Sequence, residues 1–320
     1  MCPLERVRWT RISRSGNLFA SACVQSCMTS DSGVYTLKEL AAMGWSPDDI
    51  KRGRQSETLI PVAHGWVRSA TADPRVVAAV KAGGALSCVG ALRFHQAHDS
   101  SGIWVPPGHN ETHVRRSKHM KGKPRPSGPF RWCQGYGQPL PVVTAVDSIP
   151  LALNCAARCL TPEEWIATVD SVLNTTEWTI PDIQAEMGRV AKAVTGMFAR
   201  CDDRSQSGTE SIARLRLIAA GFEVQVQPGI GTHEHADLRV GALLIECDGR
   251  AYHSDAEAFR NDRRRDRMTM IDRWMTMRLT YDDVLYNWEE VLEDIRAVTR
   301  SDRHRIRRDN DPRRRENSSI

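Results

Sequence analysis

The residues best suited to chemistry lie between positions 207 and 283 of this 320-residue chain. Glu246 and Asp248 sit two apart in the apolar run Leu244-Ile245-Glu246-Cys247-Asp248. In a strand that spacing points both carboxylates to one face, and a carboxylate held in an apolar strand is costly unless a cation balances it. Asp237 lies in the strand-like segment before them, and Glu210 in the first turn of the helix before that. Hard oxygen donors of this kind suit Mg²⁺ or Mn²⁺, which bind through a few carboxylates, water and a substrate phosphate. Such an ion polarises a phosphoryl oxygen and generates a hydroxide-like nucleophile near neutral pH. Each residue also has a reading without metal. Glu210 closes the capping box Ser207-Gly208-Thr209-Glu210. Asp237 fits a strand-end acid paired with Arg239 or Arg250, and a lone His253 fits a structural hydrogen bonder. An arginine among Arg263, Arg264 and Arg265 could balance Glu246 and Asp248.

Composition sets the frame for these residues. Hydrophobic residues at 41% and charged residues at 26% exclude collagen-like and wholly disordered chains. No apolar run approaches the roughly 18 residues of a membrane span, and the arginine-bearing N-terminus lacks the compact apolar stretch of a secretory signal. The nine cysteines form no CxxC pair. Cys23/Cys27 and Cys155/Cys159, spaced i,i+4 in apolar helical patterns, read as small core residues rather than metal ligands. Reduced thiols imply a cytoplasmic protein. The net charge of +5 is an average: residues 1–200 carry +7, residues 201–300 carry −5 and residues 301–320 carry +3. A basic front and tail flank an acidic segment.

The elements that must position the acids follow from patterning. Residues 199–300 read as a helix from Ser207 to Ala220, strands over 223–227, 236–240 and 242–248, a helix over 256–273, a strand over 275–280 and a last helix over 282–298. Residues 1–70 read as three short helices and a β-hairpin, the winged-helix arrangement. The first helix is the apolar stripe Leu18 to Cys27, the second opens on the capping box Thr36-Leu37-Lys38-Glu39, and the third opens on Ser46-Pro47-Asp48-Asp49. Strands at 58–61 and 65–68 surround His64-Gly65. Lys51, Arg52 and Arg54 on the third helix, with Arg68 on the hairpin, are the candidate contacts to a DNA backbone. Residues 71–198 form a middle α+β region with helices at 74–81 and 87–95, strand-like pieces at 103–105 and 130–132, and helices from Thr144 to Met197. Thr144-Ala-Val-Asp147 and Thr161-Pro-Glu-Glu164 are both helix-start signals. The basic stretch with Arg115, Arg116, Lys118, Lys121, Lys123, Arg125 and Arg131 reads either as a solvated loop or as a second DNA-backbone contact. The arginine-rich tail, 301–320, reads as disordered.

Five segments in order carry a family resemblance: Ser207-Gly-Thr-Glu210; Ala236-Asp237; Leu244 through His253; Phe259-Arg-Asn-Asp262-Arg-Arg-Arg265-Asp266; and Met277-Arg278 through Val284. The series resembles the restriction-endonuclease-like superfamily with the PD-(D/E)xK signature, and within it the group similar to very-short-patch-repair endonucleases. The resemblance implies an αβββαβ domain that hydrolyses DNA phosphodiesters with Mg²⁺ or Mn²⁺. Asp237 and Glu246 take the places of the two metal-binding acids, and Glu210 that of the helix acid. Asp248 stands where many members have lysine, and His253 matches the histidine after the E-x-D-G segment. Asp262, Arg265, Asp266 and Arg278 fall on supporting positions. The chain departs from the pattern at Asp272-Arg273-Trp274, where a small residue is usual, and in having no lysine after Lys192. Water activation would therefore rest on metal, His253 or an arginine, and arginine is a poor base that can still stabilise phosphoryl charge. Gly33-Val34-Tyr35-Thr36, Gly44-Trp45-Ser46 and His64-Gly65-Trp66-Val67 are similar to the winged helix of AbiEi-type abortive-infection antitoxins, which bind promoter DNA.

The expectation is a multidomain α+β and α/β protein: a winged helix over 1–70, the middle region over 71–198, a nuclease-like domain over 199–300 and the tail. Its expected partner is double-stranded DNA, with a homodimer left open and no membrane. The leading activity is a metal-dependent endonuclease or nickase, with defence against phage following from the resemblance. The alternative is a non-enzymatic, antitoxin-like repressor with a degenerate nuclease fold.

Overall fold

The computed structural model describes residues 32–98, 102–120, 122, 124–229, 235–248 and 274–300. The expected helices over 18–27 and 256–273 and the tail lie outside these residues. The described chain is a mixed α/β structure of short helices and small sheets. It divides into two compact units. One holds the residues up to Leu86 with Arg116–Phe130 and Leu140–Asp147, and the other holds Ser87–Arg115, Arg131–Pro139 and the residues from Ser148 onward.

In the first unit, β1 (Val34–Thr36), β2 (Ile60–Ala63) and β3 (Trp66–Arg68) form an antiparallel sheet in the order β1-β3-β2. Between β1 and β2 run α1 (Leu37–Ala42) and α2 (Pro47–Gln55). Both start at the predicted positions, each with a capping box, the first of which was expected. Thr36 Oγ1 accepts from Glu39 N at 3.0 Å while Glu39 Oε2 accepts from Thr36 N at 2.7 Å. Ser46 and Asp49 repeat the exchange at 3.1 and 2.9 Å. Each box satisfies orphan donors at a helix start. Tyr35, Leu40, Leu59 and Val67 are buried together beneath them. Gly53 lets α2 approach this core, because a Cβ there would lie 2.9 Å from Leu59 Cδ1. β1 itself was not predicted; its three residues contain one core side chain pair, too short for a period to register. Then come α3 (Pro74–Lys81), as expected, and β4 (Gly84–Leu86).

The segment Thr144–Asp147 does not start a helix. Leu86 N donates to Ala145 O and Asp147 N to Leu86 O, both at 2.9 Å, so these residues bridge to β4 in a strand-like manner. The helix begins one residue later, after Ser148, with Pro150 in its first turn. A local start signal lost to a tertiary backbone pairing.

In the second unit, α4 (Cys88–His98) is followed by β5 (Thr112–Arg116) and β6 (Phe130–Cys133), neighbours in one sheet. Residues 103–105 are not a strand. The basic stretch is not simply a loop either: Arg115 and Arg116 belong to β5, with Arg115 buried, and Arg131 belongs to β6. Lys121 and Lys123 lie outside the described residues. Helices α5 (Ile149–Ala156), α6 (Pro162–Thr175), α7 (Ile180–Met187) and α8 (Lys192–Phe198) follow. The α6 start is the predicted Thr161–Glu164 box.

From residue 207 the order is α9 (Gly208–Ala219), β7 (Gln225–Val226), β8 (Leu238–Val240), β9 (Leu243–Cys247), β10 (Met275–Leu279), α10 (Tyr281–Leu285) and α11 (Trp288–Arg300). The sheet runs β10-β9-β8-β7, with β9 and β10 parallel and the other pairs antiparallel. Leu238, Val240, Leu243, Ile245, Cys247 and Leu279 turn one face toward Ile212 and Leu217 of α9 and Trp288 and Ile295 of α11. The expected single helix over 282–298 is two. Val284 O, which a continuous helix would offer to the amide of residue 288, instead accepts from Arg216 Nη1 at 2.6 Å. Asn287 O then receives Val291 N and starts α11.

Helix α9 is locked to α6 by a buried ion pair. Arg214 Nη2 donates to Asp170 Oδ2 at 2.8 Å, with side chains 6% and 1% exposed. Asp202 N donates to the other oxygen of Asp170 at 2.8 Å. Removing one member of such a pair leaves a buried uncompensated charge. Asp170→Ala should lower the unfolding free energy by about 3–5 kcal/mol in urea denaturation, and Asp170→Leu with Arg214→Leu should recover most of it. An Asp170→Ala midpoint equal to wild type would show that the pair does not hold the two helices.

Candidate active site

The acids collect at one end of the four-stranded sheet because of where the elements start and stop. Ser207 caps α9, its Oγ accepting from Glu210 N at 3.2 Å. The rest of the predicted capping box does not form. Glu210 Oε2 accepts from Gln206 N at 3.0 Å and from Gln227 Nε2 at 3.0 Å, so the carboxylate reaches the Gln206 amide and the end of β7 rather than the Ser207 amide. Gly208 allows this start to pack tightly, because a Cβ there would fall 2.1 Å from the Trp104 ring.

Asp237 immediately precedes β8. Its Oδ2 accepts from Cys247 N at 2.7 Å and its Oδ1 takes a long contact of 3.5 Å from Gln227 Nε2. One amide thus reaches both Glu210 and Asp237. Gln227 follows β7 with φ +48°, a left-handed conformation uncommon for a residue with a side chain, and its N–H donates to Asp237 O at 2.9 Å. Strained backbone of this kind persists where surrounding contacts over-determine it. Gln227 was not among the sequence-derived candidates; nothing in a lone glutamine marks it until β7 and β8 are paired.

Glu246 is buried in β9. Leu238 pairs with Ile245 across β8 and β9, so continuing the register sets Asp237 opposite Glu246. Arg278 lies beside Glu246 in β10. Leu243, Ile245 and Cys247 enter the core with α9, which places Glu246 on the opposite face with Leu244. Leu244 packs there against Ala236 and Trp274, and the Arg239 guanidinium lies 5.3 Å from the Trp274 ring centroid. Asp248 ends the series, half-buried, its N–H bonded to Leu279 O at 2.8 Å. His253, Asp262, Arg265 and Asp266 lie outside the described residues.

The electrostatics agree with this convergence. Burial, and then the Asp237 charge, push the Glu210 carboxyl up to about 7. Burial also raises the Cys247 thiol, with Asp237, Glu210, Glu246 and Asp248 adding in that order. The acids nevertheless stay looser than a closed metal cage. Among the described residues, the group of three or more His, Cys, Asp or Glu ligand atoms lying within 4.8 Å of one another is Cys88, His113, Cys133 and Cys159. A Mg²⁺ site does not require such closure, since one or two carboxylates with water and phosphate complete its shell. Asp237 and Glu246, at opposed register positions of adjacent strands, offer that donor count. Cys159 had been read as a core residue with Cys155; Cys155 is buried, while the Cys159 sulfur belongs to the sulfur-rich group.

The DNA-contact candidates sit in the first unit. Lys51, Arg52 and Arg54 are exposed on α2, with Arg52 paired to Asp49. Arg68 is half-buried in β3 and donates to Ser69 O at 3.1 Å.

No known family matches the chain, and no curated protein matches it. No helix among the described residues is long and apolar enough to cross a membrane.

Glu210 gives a pH signature to metal-free protein. Its folded carboxyl keeps the proton to about 7 against an ordinary value of 4.5, so the folded state binds more protons between those values. The resulting stability is present in full below about pH 4.5 and is lost as pH rises through 7. Glu210→Gln should flatten that decline by on the order of 3 kcal/mol, read from urea unfolding at about pH 5 and about pH 7.5. Parallel declines in wild type and variant would refute the buried-acid assignment.

Proposed function

We propose that the chain is a metal-dependent DNA endonuclease or nickase. The observation that carries the reading is the Gln227 amide reaching both Glu210 and Asp237 at the sheet end where Glu246 also sits. Like charges gathered in a buried place are expensive without a cation. The order α9-β7-β8-β9-β10, with its mixed four-stranded sheet, supports a restriction-endonuclease-like domain. The β1-α1-α2-β2-β3 unit, with its three-stranded sheet, supports a winged helix that brings duplex DNA to the protein.

Asp237 and Glu246 would hold a Mg²⁺ or Mn²⁺ ion. When bound, such an ion polarises the scissile phosphate and makes water acidic enough to attack near neutral pH. The protein groups do the rest. Gln227 fixes the relative positions of Glu210 and Asp237. Glu210, beside Asp237 at the start of α9, would be placed to accept a proton from a water activated there. Arg278, in register with Glu246, places a guanidinium on the strand next to the acids, suited to a phosphoryl oxygen. His253 remains the second candidate base.

Supercoiled plasmid with Mg²⁺ or Mn²⁺ tests the reading. Wild type should nick or linearise it. Asp237→Ala and Glu246→Ala should lower the rate by at least about 10²-fold while duplex binding stays near wild type. Equal residual cutting by all three proteins would sink the proposal. A second reading, a non-cutting DNA-binding regulator, is supported by the exposed cations of α2, and it predicts tight binding with no metal-dependent cleavage at all.

The α2 contacts carry a prediction under either reading. Lys51→Ala with Arg54→Ala should weaken duplex binding similarly across sequences. It should also lower the slope of log affinity against log salt by roughly 2. An unchanged salt slope would remove α2 from the interface.

A further inference from the structure

Four side chains from four separate places in the second unit meet in one group that includes none of the acids. Cys88 opens α4, His113 lies in β5, Cys133 ends β6, and Cys159 lies in the turn after α5. Cys88, His113 and Cys133 are buried and Cys159 is half-buried. All four ligand atoms lie within 4.8 Å of one another. Cys133 Sγ is 3.4 Å from His113 Nδ1 and 3.7 Å from Cys159 Sγ.

We infer that Cys88, His113, Cys133 and Cys159 form a structural zinc site. Tetrahedral zinc, with Zn–S about 2.3 Å and Zn–N about 2.0 Å, sets S···S edges near about 3.8 Å and S···N edges near about 3.5 Å. The two separations above match both edges. The sulfurs are free thiols, and 3.7 Å is far longer than a disulfide bond of about 2.05 Å.

One further observation concerns His113 and one concerns Cys88. His113 is 1% exposed and its Nδ1 faces the Cys133 sulfur. Ligation through Nδ1 would give this buried ring a stronger partner than a thiol. Cys88 holds φ +55°. A non-glycine residue in that region stores strain, and the strain falls on a residue that supplies a ligand to the cluster. Soft thiolate donors with one imidazole select zinc over the hard cations suited to carboxylates. Four protein donors complete a tetrahedral shell, which leaves no position for substrate and makes the site structural. It would join α4, β5, β6 and the α5 end. The inference does not rest on the nuclease reading.

The full chain, purified reduced and without added chelator, should contain about one zinc per chain, released on thiol modification and read with a chromophoric chelator. Cobalt replacing zinc should give the intense visible bands of a tetrahedral site and a near-ultraviolet thiolate charge-transfer band. Cys133→Ser and Cys159→Ser should lose the zinc, while Cys201→Ser keeps it. Should those variants fail to fold, the wild type still decides: stripping zinc should lower the Tm, and adding zinc back should restore it. A metal-free wild type whose cobalt titration gives only weak octahedral absorption would overturn the inference. So would a Cys133–Cys159 disulfide in metal-free protein, or zinc that survives both serine substitutions.

Discussion

The buried pair between Arg214 and Asp170 is the constraint on which the acid-bearing unit depends. Arg214 lies one helical turn beyond Glu210 on α9, so fixing the guanidinium against α6 fixes the start of α9 as well. The same carboxylate takes Asp202 N, tying down the segment that leads into the helix. Next to Asp170, Ser171 Oγ accepts from Trp104 N at 2.8 Å, and the Trp104 ring lies against Gly208. These four contacts set the position and height of the first turn of α9. Such a pair is weak evidence for net stability: burial pushes the Asp170 carboxyl up in spite of Arg214, and apolar replacements of buried pairs are often as stable. What the pair supplies is register, and register decides where Glu210 ends.

That placement sets up a contest of magnitudes at the sheet end. The N-terminus of α9 favours a negative charge by about 0.3–1 kcal/mol, and by up to about 2 kcal/mol when partly buried. Bonds from Gln206 N, Ser207 and Gln227 act in the same direction. Burial and Asp237 win nonetheless, since the carboxyl rises to about 7, a shift worth on the order of 3 kcal/mol. Neutral donors are insufficient to hold both acids ionised. Gln227 reaches both of them without neutralising either.

The sequence made the acids and their order legible because strand alternation is local. Leu238 and Val240, and Leu243, Ile245 and Cys247, define one apolar face, and Glu246 follows from being out of phase with it. Capped helices were equally readable at Thr36, Ser46 and Thr161. What escaped was set by distant partners. Val146 looked like part of a helix start until Leu86 bridged to it. Residues 282–298 looked like one helix until Arg216 captured Val284 O. Glu210 was explained by a capping box whose second half is replaced by a bond to Gln206. Cys88, His113, Cys133 and Cys159 share no short spacing, so no motif joins them before α4, β5, β6 and the α5 end are brought together.

The two donor sets of this unit differ in chemistry. Three sulfurs and an imidazole would make a soft and numerically complete shell. The acids are hard oxygen donors and form no such closed group among the described residues. Ligand softness works against exchange between them: thiolates bind Mg²⁺ poorly, and two carboxylates with open positions hold zinc less firmly than four closed donors. A fold that held one ion for architecture and another for phosphate chemistry would need two such donor sets, because a single site cannot be both closed against substrate and open to it.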